Sequence, residues 1–424
     1  MKYPGNCVLL ASLFVGSICG EQRLIVRSLG QEPLLSGICS RLGCSVIRGL
    51  DDPAAQLFLV SIPGTVNEVL FMATLSSVAG ILGVEPDSLA RISNDRPPIP
   101  SSLYDTSPVS YYGVTVHQGY IQQPAVNIVR LADAQSRFHV SGTGTVAVID
   151  TGVDPNHPVL DPVLLQGYDF TRNQNGGSER GDLSQSTAAV VDGVPPTYVN
   201  DNGAAIVDQS TAAVVDDGSH PDFGHGTMVS GVIHLVAPSA QILPLKAFNA
   251  DGTGYTSDIL RAVYFAVRAN VRIINMSFSM PQSSPEFRRS IDYANNSGII
   301  CVAAAGNQGQ STVVYPAGYS NVMGVASTNN SDQRSGFSNY GPAQVWVAAP
   351  GEGVVTTYPF GTYAAAWGTS FSAPLVSGTV SLLIQANSRL TSPDAASAIG
   401  HAAPLTPDLG HGRLDIFQAL ASAP

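Results

Sequence analysis

Two rhythms of apolar and polar positions divide the chain, and they change near residue 124. Beyond that point continuous apolar runs recur: TVAVID at 145–150, QILPLKAF at 241–248, VRIINMSF at 271–278, IICVAAAG at 299–306 and NVMGVAS at 321–327. They alternate with helical patterns in TMVSGVIHLV, SDILRAVYFAVRAN and SPEFRRSIDYANN. Strands that are apolar on both faces and separated by helices predict an α/β fold, a doubly wound, mostly parallel sheet with helices on both faces. In such a sheet functional residues stand at the carboxyl ends of strands and in the loops that follow. Residues 21–92 carry shorter signals, RLIVR, QLFLVSI, a longer apolar run over 65–82 and VEPDSLARI, which fit a small α+β unit. Between the two, residues 93–123 include the Pro-, Ser- and Asp-rich NDRPPIPSSLYDTSPVSYYG and read as an exposed linker.

The first twenty residues put Lys2 before an apolar run at 7–14 and small residues at 16–20, the layout of a secretory signal; a first core strand is the other reading. The run is too short to span a bilayer, and no other stretch reaches 18 consecutive apolar residues, so a secreted protein without a membrane partner is expected. A net charge of -11 and the absence of any Lys/Arg cluster argue against nucleic acid. Of the five cysteines, Cys7 and Cys19 would leave with the signal and Cys39 and Cys44 lie close together; Cys301 stands alone in the larger part, as a small buried hydrophobe. QSTAAVVD occurs at 185–192 and again at 209–216, within an insertion at 171–221 rich in Gly, Asp, Ser and Thr, and predicts a duplicated surface hairpin.

Three polar residues fall where this sheet would expose them. Asp150 ends TVAVID and precedes Thr-Gly, His225 lies between two glycines at the start of a helix, and Ser370 opens the helix of AWGTSFSAPLVSGTVSLLI, with Pro374 expected in its first turn. A serine hydroxyl needs a base to take its proton, imidazole titrates in the right range, and a carboxylate fixes the imidazole tautomer. The oxyanion of a tetrahedral intermediate needs aimed donors, which the Ser370 backbone N–H and the Asn307 side chain in AAAGNQG can supply. Each signal is weak alone; the order Asp, His, Asn, Ser makes the set specific.

VIDTGVD at 148–154, GHGTMVSG at 224–231, AAAGNQG at 303–309 and GTSFSAPLVSG at 368–378 resemble the signature segments of the subtilisin-like serine proteases, over roughly residues 124–424. The resemblance implies that Asp150 orients the base, His225 is the base, Ser370 the nucleophile and Asn307 the oxyanion donor. It also implies that Gly252, Thr253, Gly254 and Tyr255 pair with a bound peptide as an added strand. Ser277, Phe278 and Ser279 would wall one side of the pocket for the residue before the scissile bond, and Ala304, Ala305 and Gly306 the other. Residues 21–92 are similar in position and rhythm to the family's inhibitory propeptide, which would be cut off by the enzyme itself between residues 93 and 113. A monomer acting on polypeptides, needing no cofactor for its chemistry, is the implied form.

Several positions depart from the family. Phe371 follows the nucleophile where an oxidisable Met is common, which predicts tolerance to peroxide. Val159 stands where an Asp often helps bind structural calcium, so that site is in doubt; Asp192, Asp201, Asp208, Asp216 and Asp217 of the insertion offer other ligands or a solvated loop. Val314 replaces a common Gly at the pocket floor and neutral Gln308 follows Asn307, predicting a narrow, uncharged pocket for small or medium apolar residues. A lipase on an α/β-hydrolase fold would need G-x-S-x-G and the order Ser, acid, His; Ser372 and the early His225 speak against it. No H-E-x-x-H or paired-Cys metal motif occurs, and a non-catalytic binding protein is the remaining rival.

Overall fold

A computed structural model describes residues 22–91, 100–183, 205–206 and 222–423. The chain divides into two compact units, one of residues up to Leu50 with Ala54–Asp87, the other of Asp51–Pro53 with Ser88–Pro424.

The smaller unit is a four-stranded antiparallel sheet in the order Ser45–Gly49, Leu57–Ile62, Gln22–Ser28 and Ile81–Pro86. Leu57–Ile62 is buried along its whole length, and Leu24, Val26, Phe58 and Val60 form a core with Leu35, Ile38, Phe71 and Leu75 of helices Glu32–Leu42 and Glu68–Ser76. The first of these helices and the strand after it carry no strong periodicity and are additions to the pattern read from the sequence. Cys39 and Cys44 are joined by a disulfide across the turn between them.

The larger unit is built on an eight-stranded sheet. Its parallel strands run Tyr168–Asp169, Gln241–Lys246, Thr145–Asp150, Ile273–Met276, Ile300–Ala304, Val322–Thr328 and Val347–Pro350, with Gln174–Asn175 antiparallel at one edge. From Thr145–Asp150 the chain passes to Gln241–Lys246 on one side and then to Ile273–Met276 on the other. The strand order therefore reverses at the carboxyl end of the Asp150 strand, where a crevice opens in sheets of this kind. Helices His225–Val236 and Thr369–Ala386 pack together on one face, over Val146, Val148, Ile273, Ile300 and Val302. Helices Thr256–Arg268 and Pro285–Asn296 pack on each other and on the same sheet, whose intervening residues Ala147, Ile149, Ile274 and Cys301 are also buried. Burial pushes the Cys301 thiol up to about 12, as suits a packing residue.

Residues 100–123, expected as exposed linker, contain the hairpin Pro108–Tyr111 and Val114–His117, turned by the positive φ of Tyr112 and Gly113. Leu103, Val116 and Tyr120 are buried in the core of the larger unit, and Tyr120 donates from its hydroxyl to the Gly231 carbonyl at 2.6 Å. Four-residue strands are too short to show a period, which is why composition alone misleads there. The duplicated segments and the five insertion aspartates lie outside the described residues; Ala205–Ile206 pairs antiparallel with strand Thr362–Ala366.

Candidate active site

Asp150 is the last residue of its strand and is buried. Its Oδ1 accepts the Thr151 N–H at 2.7 Å and lies 2.7 Å from Nδ1 of His225, the first residue of helix His225–Val236. The two flanking glycines have separate causes. Gly224 takes φ 87° at the helix start, and a Cβ on Gly226 would stand 2.1 Å from the Gly152 carbonyl oxygen. Any larger residue at 226 would therefore drive the start of this helix away from the end of the Asp150 strand. Burial alone lowers the His225 pKa, but the charge and hydrogen bond of Asp150, with a smaller effect from Asp222, turn the net shift upward. His225 Nε2, also buried, has no hydrogen-bond partner among the described residues.

Ser370 is the second residue of helix Thr369–Ala386. Pro374 lies one turn further along than expected, inside the helix rather than in its first turn. Lacking an N–H, it leaves the Ser370 carbonyl without its helical donor, and Ser277 Oγ supplies one at 2.8 Å. In return Ser370 Oγ donates to the Ser277 carbonyl at 3.0 Å. The Phe371 ring is buried 5.4 Å from the His225 ring.

Asn307 is tied to the same helix start. Its Oδ1 accepts both the backbone N–H of Thr369, at 2.9 Å, and the Thr369 hydroxyl, at 2.8 Å. With the amide oxygen held, the NH2 group must point the opposite way. Thr369 also accepts the Gly306 N–H at 3.1 Å. Sequence reasoning missed this role for Thr369; its one signal was a hydroxyl at the residue immediately before Ser370.

Thr253, Gly254 and Tyr255 form a short strand, with Gly252 in the turn before it at φ 75°. Strand Leu89–Arg91 pairs antiparallel with it, Thr253 opposite Arg91, Gly254 opposite Ala90 and Tyr255 opposite Leu89. Thr256 extends the contact, its N–H and hydroxyl both donating to the Ser88 carbonyl at 3.0 and 2.8 Å. Ser277, Ala304, Ala305 and Gly306 are buried and Ser279 is half-buried. The Phe278 ring turns inward against Phe248 and Phe287. Val314 closes over Gly306, its Cγ2 lying 3.2 Å from where a Gly306 Cβ would stand.

Val159 belongs to the hydrophobic core, and no cluster of three or more His, Cys, Asp or Glu side chains suited to a metal occurs among the described residues. An acidic residue outside the expected set lies beside the pair instead. Glu179 is fully buried behind His225, and burial raises its carboxyl well above the ordinary range.

A buried acid–imidazole pair at a strand end, its imidazole 5.4 Å from the ring of Phe371, which follows a serine at a helix start to which an amide is tied, defines a class of serine hydrolase built on a parallel sheet. The model of the subtilase family matches residues 142–418, and the chain belongs to that family. It is 34% identical to thermitase of Thermoactinomyces vulgaris over 57% of this chain and 75% of that one. It is equally 34% identical to subtilisin BL of Lederbergia lenta over 60% of this chain and 82% of that one. A thermophilic serine proteinase of Bacillus sp. (strain AK1) matches at 34% over 56% of this chain, which spans only 51% of that relative. The protein is thus a serine endopeptidase of subtilase type, a class that needs no cofactor for catalysis.

Proposed function

We propose that the chain is a secreted, self-processing endopeptidase whose chemistry runs through Asp150, His225, Ser370 and Asn307. The observation that carries this is the buried 2.7 Å pair of Asp150 and His225, set at the switch point of the sheet. Ser370 Oγ leaves the Ser277 carbonyl, gives its proton to His225 Nε2 and attacks the substrate carbonyl carbon. The Asn307 NH2 group and the Ser370 N–H donate to the oxyanion. The C–N bond then breaks as His225 protonates the leaving amine, and water, deprotonated by the same base, releases the acyl group from Ser370.

The substrate backbone would pair with Thr253, Gly254 and Tyr255, the edge that Leu89–Arg91 pairs with in this structure. That pairing supports reading residues 21–92 as a propeptide whose tail, Leu89–Arg91, occupies the substrate edge until it is cut in the stretch 93–113. Val314 over Gly306 supports a preference for small or medium apolar residues before the scissile bond. Asp192, Asp201, Asp208, Asp216 and Asp217 of the insertion are the carboxylates on offer to a structural calcium ion.

A phosphonate probe that labels activated serines, with N-terminal sequencing of the secreted product, tests this reading. Labelling and processing in wild type and the loss of both in Ser370→Ala are expected, with cleavage profiles favouring small apolar residues. A processed wild-type protein that takes no label would overturn it.

A further inference from the structure

Glu179 sits in the short helix Glu179–Asp182, where a polar Ser-Glu-Arg-Gly-Asp run reads as a solvated turn, yet it is fully buried. Its Oε2 accepts the Gly224 N–H at 3.0 Å, and its Oε1 accepts the Thr227 hydroxyl. Oε2 also lies 3.4 Å from the Thr151 hydroxyl. Thr151 Oγ1 in turn accepts the Gly226 N–H at 3.0 Å, and Thr227 Oγ1 accepts the Asp154 N–H at 2.8 Å. One carboxyl group thus fastens the residue before His225, the residue two after it and the residue following Asp150. None of these bonds touches the imidazole or the Asp150 carboxylate themselves.

The neighbours of Glu179 are fastened in the same way. Arg180 pairs with Asp154 at 2.9 Å, while Asp182 pairs with Arg172 and, at 2.7 Å, with the buried ammonium of Lys246. Lys246 also donates to the Thr151 carbonyl at 2.8 Å. The charged groups acting on Glu179 are Asp150, Asp154 and Lys246.

We infer that Glu179 is a positioning residue for the acid–base pair, holding the backbone around His225 against the end of the Asp150 strand so that the imidazole keeps its distance and angle. The inference rests on the assignment of His225 as base. Its role is geometric, so a neutral side chain of the same shape should serve: a glutamine can accept the Gly224 N–H, and the threonine hydroxyls can turn to meet its amide.

The test uses the full chain. Glu179→Ala is expected to lower kcat on the order of 10²-fold, the size of effect that a small misplacement of a catalytic group produces. KM for peptides should change little, and the acid limb of the rate profile should move to lower pH as the bond to Asp150 loosens. Glu179→Gln should recover most of the rate and keep the limb in place. Should Glu179→Ala fail to fold, Thr227→Val, which removes one fastening, is expected to show the same changes at smaller size. A second readout is independent of turnover: in the Ser370→Ala background, the far-downfield proton resonance of the Asp150–His225 bond should shift or vanish with Glu179→Ala and persist with Glu179→Gln. If Ser370→Ala leaves activity intact, the assignment of the nucleophile fails while this resonance still reads Glu179. A folded Glu179→Ala protein with unchanged kcat, limb and resonance overturns the inference, and so does a Gln variant as impaired as Ala.

Discussion

The two halves of the site are held by different physics. Asp150 and His225 rest on ionisable groups: Glu179 holds the backbone at Gly224, Lys246 holds it at Thr151, and the ion pairs Lys246–Asp182 and Arg180–Asp154 fix the same short segment. Ser370 and Asn307 rest on neutral groups, two serines exchanging hydrogen bonds with each other's carbonyls and a threonine gripping an amide oxygen. Buried charges are costly to desolvate but punish any misplacement, because a lost partner leaves an uncompensated ion. Neutral hydroxyl bonds contribute about 1 kcal/mol each and can turn toward new partners. In the proposed mechanism the half that stays still has the rigid support, and the half whose hydroxyl swings from Ser277 to His225 has the forgiving one.

Breaking the charged support should give the largest change. Lys246→Met is expected to destabilise the fold by about 3–5 kcal/mol, as removal of one partner from a buried pair does, whereas Ser277→Ala should cost about 1 kcal/mol; urea unfolding of the two variants compares them directly. Next in size, Asn307→Ala should lower kcat by about 10² to 10³ with little change in KM. Since Asn307 is tied to Thr369 while the groups that shift His225 are Asp150 and Asp222, its acid limb should stay where the wild type has it, in contrast to Glu179→Ala.

A smaller effect separates the halves by pH alone. As the proposed base, His225 works only when neutral, and its pKa is raised, so kcat/KM should drop as pH is lowered through a limb above the ordinary histidine value of about 6.5. The sign for stability is the reverse. The bond between Asp150 and protonated His225 stabilises the fold fully below the unfolded-state pKa and is lost as pH rises through the folded-state one. Activity should therefore rise across the same window in which this contribution fades, and parallel measurements of rate and melting temperature would show it. At the bottom of the scale, dilute peroxide should leave activity unchanged, because Phe371 offers no thioether beside the nucleophile; rapid inactivation would contradict this.

The neutral half was largely legible in the sequence. Ser370 and Asn307 follow apolar runs that can only be buried strands or helices, and their local motifs are dense. The charged support was not. Glu179, Arg180 and Asp182 lie in a Gly- and Ser-rich stretch without periodicity, and nothing local distinguishes a solvated turn from one folded beneath a helix. Lys246 stands at the end of an apolar strand, where a lysine ordinarily reaches water. Only the approach of chain segments far apart in sequence turns these residues inward. The hairpin at 108–117 was hidden for another reason, since strands of four residues give period-two alternation too little length to appear.

The anchoring of Asp182 and Asp222 has a consequence for chain length. Asp182 is tied to Lys246, and the Asp222 N–H donates to the Ala250 carbonyl at 2.8 Å. Residues 183–221 thus begin and end against two points four residues apart on one segment. Closing a longer loop between fixed ends grows only with the logarithm of its length, about 0.6 kcal/mol for each doubling. A tandem copy inserted on either side of the paired Ala205–Ile206 costs less than a single hydrogen bond. Added length at this place costs little, which makes it an acceptor for grafted sequence close in the chain to His225.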